Sequence, residues 1–135
     1  MKEKLTSLLM RHIDLMDASI RSTNKLLTAA SKGDISSIEE ESDNRERLIK
    51  VIDRFQKFIE EEIQQLAGSQ IDATGIDILK TWAYEVHKWV DKTERLDQEI
   101  SEQLESLREE TSKEISTIFK SRQQFKGYNL NNLKK

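Results

Sequence analysis

Apolar positions recur in steps of three and four along most of the chain, the spacing of a helix face. The first stripe runs Leu5, Leu9, Ile13, Met16, Ile20, Thr23, Leu27 and Ala30, widened by Leu8, His12, Leu15 and Leu26. A stripe that broad predicts a helix over residues 2–31 with two neighbours rather than one. Lys32-Gly33-Asp34 ends it, because Gly33 suits a left-handed closing residue and Asp34 can cap the next helix. So short a link sends the second helix back antiparallel to the first.

The second stripe predicts a helix over residues 35–67. Its seam is Ile35, Ile38, Ser42, Arg45, Ile49, Ile52, Gln56, Ile59, Ile63 and Leu66, flanked by Leu48, Phe55 and Phe58. Ser36 with Glu39, or Ser37 with Glu40, offers a capping box in its first turn. Polar residues inside an apolar seam usually specify register, with a ligand contact as the alternative. A hairpin closed at Gly33 predicts such a layer, with Thr23 and Asn24 facing Ser42 and Arg45.

Gly68, Ser69, Asp72, Thr74 and Gly75 then interrupt the pattern. Thr74 and Asp77 resemble a capping pair, so a third helix is expected over residues 75–125. Its seam is Ile76, Leu79, Ala83, Val86, Val90, Thr93, Ile100, Leu104, Leu107, Thr111 and Ile118, slipping at Asp97 and Glu114. Nothing inside it stops a helix. At 1.5 Å per residue it would reach roughly 75 Å, against about 45–50 Å for the other two. Packed side by side, roughly 25 Å of the third helix must overhang. That overhang still carries Leu104, Leu107, Ile115, Ile118 and Phe119, an apolar seam that calls for a partner. Gly127 and the asparagines after it are expected to end the helix, leaving residues 126–135 as a short tail. Tyr128, Leu130 and Leu133 make that tail either a frayed end or a segment that orders on a partner. The fold class is therefore all-α: one domain over residues 1–135, an antiparallel three-helix bundle or coiled coil with a long C-terminal helix.

Composition sharpens this reading. The 135 residues include no Pro, only 4 Gly, and 35% charged against 36% hydrophobic residues, which suits a slender bundle with a thin core. The net charge of −3 argues against nucleic acid as the main partner. Charge is segregated, however. Residues 94–114 hold Glu94, Asp97, Glu99, Glu102, Glu105, Glu109, Glu110 and Glu114 against Arg95, Arg108 and Lys113. Residues 115–135 hold Lys120, Arg122, Lys126, Lys134 and Lys135 with no acid, so the C-terminal end should dock on acidic surface, its own or a partner's. The absence of Cys rules out disulfides and thiolate metal sites. Met1-Lys2-Glu3-Lys4-Leu5 does not open a secretory signal, and no window approaches a membrane span, so a cytoplasmic location is expected.

No catalytic constellation is visible, and the chain reads as a non-enzyme without cofactor or metal. His12 and His87 lack the following small residue that phosphotransfer would need, and both read as partly buried flank histidines. Glu85 and His87 stand two apart and point to different faces, so they do not form a di-iron motif. Trp82 and Trp89, seven apart, share a face and should either anchor the third helix on the other two or line a groove for an incoming helix.

Three features together resemble the small helical export chaperones of the bacterial flagellum, the FliT/FlgN type. They are the hairpin turn Ala29-Ala30-Ser31-Lys32-Gly33-Asp34 with Ile38 and Glu39-Glu40-Glu41 after it, the charged step Arg45-Glu46-Arg47-Leu48-Ile49, and the ending Phe125-Lys126-Gly127-Tyr128. The resemblance implies a cytoplasmic chaperone that holds a helical segment of a late flagellar subunit, a filament cap or hook-associated protein, before type III secretion. It maps contact with the client or the export gate onto Ile115, Ile118, Phe119, Phe125 and Tyr128, which with Leu104 and Leu107 of the overhang make up the expected partner-binding residues. The alternative is a structural coiled-coil protein that forms a homodimer or larger homo-oligomer.

Overall fold

The computed structural model describes residues 3–66 and 71–133, with side chains as far as residue 118 and at residue 120. It contains three helices, α1 (Glu3–Lys32), α2 (Ile35–Gln65) and α3 (Ala73–Leu133), and among the described residues no strand. The fold is an all-α three-helix bundle.

The turn after α1 follows from its residues. Gly33 adopts φ +67°, the left-handed region where a side chain is strained. Its N–H bonds to the Ala30 carbonyl at 3.2 Å, and the Asp34 N–H reaches back to Ala29 at 3.1 Å, which closes a Schellman motif. Asp34 then caps α2. Its carboxylate accepts from the Ser37 hydroxyl at 2.7 Å and the Ser37 N–H at 3.2 Å. Those bonds, the hydroxyl first, hold the Asp34 carboxyl below the usual carboxylate range. Asp34 with Ser37 thus takes the place expected for the Ser36–Glu39 or Ser37–Glu40 box. At the far end, Asp72 caps α3 by accepting from the Gly75 N–H at 2.7 Å, so Thr74 lies inside the helix rather than before it.

α1 lies between the other two helices. Both pack along it, whereas among the described residues the backbones of α2 and α3 nowhere come within 8 Å of each other. This is why its apolar stripe is so wide. Leu5 and Leu9 of α1 meet Ile59 of α2 in a buried cluster that Leu8, Ile63, Leu66, Ile78, Leu79 and Trp82 extend. Fully buried Leu5, Leu9, Ile52 and Ile59 each contribute about 1.5–3 kcal/mol.

Three expectations about α3 change. It starts at Ala73, two residues early, and it does not stop at Gly127: residues 126–133, expected as a tail, continue the helix to Leu133. A mid-helix Gly disfavours helix by only about 1 kcal/mol relative to Ala, and no Pro is present to break the run. The face turned to α1 also differs. The expected seam residues Leu79, Val86, Thr93 and Ile100 are buried or half-buried, but Gly75, Ile78, Trp82, Trp89 and Leu96 join them, whereas Ile76, Ala83 and Val90 are left exposed. The two tryptophans carry more apolar area than any neighbour and need a partner for the indole N–H, so they take the inward row. α2, for its part, ends at Gln65 rather than residue 67.

A Cβ at position 33 would sit in the left-handed region and 3.3 Å from Leu107 Cδ1. Gly33→Ala should therefore lower unfolding free energy by about 1–2 kcal/mol in a urea titration. An unchanged midpoint would contradict the turn geometry.

Candidate partner-binding surface

What sets the height of α3 beside α1 is a row of buried polar groups. His12, Ser19, Ser22 and Thr23 all lie on α1 and all are buried. The Trp82 indole N–H donates to His12 Nδ1 at 3.0 Å, and the Trp89 indole N–H donates to Ser19 Oγ at 2.7 Å. Each pair is separated by 70 residues, so α1 and α3 run parallel with one fixed offset. His12 Nε2 stands 3.2 Å from the Ile52 carbonyl. That oxygen can only accept and the indole can only donate, so His12 is the neutral tautomer with its proton on Nε2. Burial pushes its pKa below the ordinary imidazole value, against the smaller upward effect of the Ile52 carbonyl.

One turn beyond Ser19, the row meets α2 a second time. Ser19 donates to the Met16 carbonyl at 2.8 Å, and Thr23 donates to the Ser19 carbonyl at 2.7 Å. Arg45 Nε then donates to Thr23 Oγ1 at 3.1 Å, and its Nη2 donates to Asp97 Oδ1 at 2.5 Å. The expected polar layer is thus present with different members. Thr23 and Arg45 meet as expected, Asn24 is exposed, Ser42 is half-buried, and the third member is Asp97. Asp97 occupies the seam position where the apolar pattern slips, and the slip is the carboxylate that Arg45 requires.

With the offset fixed, α3 outruns its companions. Leu107 is half-buried and its Cδ1 approaches Gly33, so the α1–α2 turn lies level with that residue. From Leu107 to Leu133 the helix continues for about 39 Å, more than the sequence spacing implied. The expected partner-binding residues divide accordingly. Leu107 is already covered in part by the turn, and Leu104 is 38% exposed at its edge. Ile115 and Ile118 are 62% and 55% exposed beyond it. Phe119, Phe125 and Tyr128 belong to the same helix, but their side chains lie outside the described residues.

Compared with known protein families, with curated proteins and with solved structures, the chain matches none. Among the described residues, no three acidic or histidine side chains are grouped to hold a metal ion. No helix there is long and apolar enough to cross a membrane.

The two histidines part company. Neither is the partly buried flank residue that sequence spacing suggested: His12 is completely buried, and His87 is an exposed side chain 3.6 Å from Asp91. The seven-residue spacing of His12 with Ser19, matched by that of Trp82 with Trp89, is the signal that would have paired them.

A lowered pKa on a buried base means the unfolded chain binds a proton that the folded chain refuses. The His12 contribution is therefore complete above about pH 6.5 and declines as pH falls below it toward the lowered folded value. Unfolding free energy should fall between pH 6.5 and 5, and His12→Gln, which keeps a donor and an acceptor, should flatten that slope. Equal slopes in the two proteins would contradict the assignment. Thr93 offers a second test, because its hydroxyl is buried without a hydrogen-bond partner among the described residues. Thr93→Val should raise stability by about 1 kcal/mol; a loss would mean the hydroxyl has a bonding role.

Proposed function

We propose that this chain is a non-enzymatic binding protein that holds a helical segment of another protein along the exposed end of α3. In its fullest form, the reading is a cytoplasmic export chaperone of the flagellar FliT/FlgN type. The observation that carries it is a helix extending past the bundle with Ile115 and Ile118 exposed along it and Leu104 part-exposed at the bundle's edge. Isolated apolar side chains on a surface are ordinary, but a row of them along a helix that has outrun its partners is poor in contacts. An amphipathic client helix laid along this row would bury its own apolar face and give α3 the neighbour it lacks. Such a mechanism needs no nucleotide, metal or catalytic group. The sequence features of the hairpin turn and the charged step in α2 favour flagellar clients, meaning the terminal helices of filament cap or hook-associated proteins. The export gate is the second partner in this reading, and nucleic acid and membrane have no role in it.

The direct test is calorimetry with a synthetic peptide covering a terminal helix of a filament cap or hook-associated protein. Ile115→Asp with Ile118→Asp should weaken binding at least tenfold, about 1.4 kcal/mol, while thermal melting of the bundle stays unchanged. Failure of every such peptide to bind the native chain would overturn the flagellar reading. Equal loss of folding and binding would place the peptide site in the core instead.

A further inference from the structure

We propose that a second copy of this chain covers the exposed end of α3, lying antiparallel to it about a two-fold axis near residues 114 and 115. The inference rests on charge and helix continuity and does not depend on the identity of any export client. Two blocks of opposite charge meet at that point: eight acids against three bases over residues 94–114, then five bases and no acid over residues 115–135. Asp97 is the member of the acidic block that has an ion pair among the described residues. Opposite blocks at the end of a chain could neutralise one another by folding back. Here they cannot, because α3 is one helix from Ala73 to Leu133 and holds the acidic block apart from positions 120, 122 and 126 along its axis.

The complement must therefore come from another molecule, and its pattern can be read from the helix. It must cover an apolar row that crosses the charge switch, with Leu104 before it and Ile115 and Ile118 after it. It must also present basic charge beside the acidic block and acidic charge beside the basic one. An anionic polymer or a membrane surface would answer the basic block alone. The same helix turned end for end answers all three demands. A parallel pairing would set acid beside acid and base beside base, which is unfavourable at coiled-coil flanks. Since the pairing joins identical surfaces through a two-fold axis, it closes at two copies.

The chain has no cysteine, so single cysteines report orientation cleanly. Light scattering on the full chain at about 10–100 micromolar should give twice the monomer mass, a range in which a modest interface of this kind associates. A Ser106→Cys copy mixed with a Gln123→Cys copy should be joined by a bis-maleimide linker much shorter than the roughly 25 Å between those positions on one helix. Neither variant alone should be joined to itself. Lys120→Glu with Arg122→Glu and Lys126→Glu should weaken self-association at least tenfold at low salt. Mixing that variant with Glu105→Lys, Glu109→Lys and Glu110→Lys should restore the pair. A monomer throughout, self-joining of either single-cysteine variant, or a dimer indifferent to both charge reversals would each overturn the proposal. A client helix would compete with the second copy for this face, so peptide capture is read at a concentration low enough for the chain to be monomeric, where its outcome is independent of self-association.

Discussion

The buried polar row on α1 is the constraint on which the rest of the molecule depends. A core made only of Leu and Ile would let α3 slide by a turn at little loss, since apolar packing is non-directional. Indole N–H groups do not allow this. Displacing α3 by one turn would strip Trp82 and Trp89 of acceptors and leave His12 Nδ1 and Ser19 Oγ without their donors in a water-poor interface. The Thr23–Arg45–Asp97 contact repeats the constraint toward the other end of α1 and ties α2 directly to α3. Height, direction and rotation of α3 are thereby set together.

Once the offset is fixed, the projection of α3 is a matter of length. α1 has 30 residues and α2 has 31, while α3 has 61, and the turn at Gly33 meets it at Leu107. Everything beyond is helix without a neighbour in the chain. Helices of that sort gain little from propensity alone and draw their stability from packing. The apolar row, the segregated charge and the missing neighbour thus describe one requirement, a partner helix, from three directions. They also explain how a chain so poor in apolar residues keeps a defined core, because burial is concentrated on α1 and the two faces that meet it.

Much of this architecture was legible in the residues. The short link at Lys32-Gly33-Asp34 has only one economical geometry, and the three-four spacing with no Pro announces three helices. The overhang followed from helix lengths alone. What could not be read was the choice among nearly equivalent rows on α3. A heptad count treats Ile76, Val90 and Thr93 as equals, and it registers Asp97 as a fault. Which row turns inward depends on pairs of groups 70 residues apart, information that a local period does not contain. The C-terminal boundary failed for a related reason, since Gly127 and its neighbouring asparagines lower helix propensity without forbidding helix. Among the expected interaction residues, Leu107 is shared with the hairpin turn, while Ile115 and Ile118 stand clear of it. Sequence spacing alone could not divide them, because the division depends on where Gly33 meets α3.

The claim on which the account turns is that α3 remains one helix well past the hairpin turn. Spin labels on Ser101→Cys and Asn129→Cys, read by electron–electron double resonance in a dilute, magnetically diluted sample, measure it directly. A continuous helix predicts a narrow distribution centred near roughly 42 Å. A distribution centred below about 25 Å, as a chain turned back on itself would give over this many residues, would contradict it.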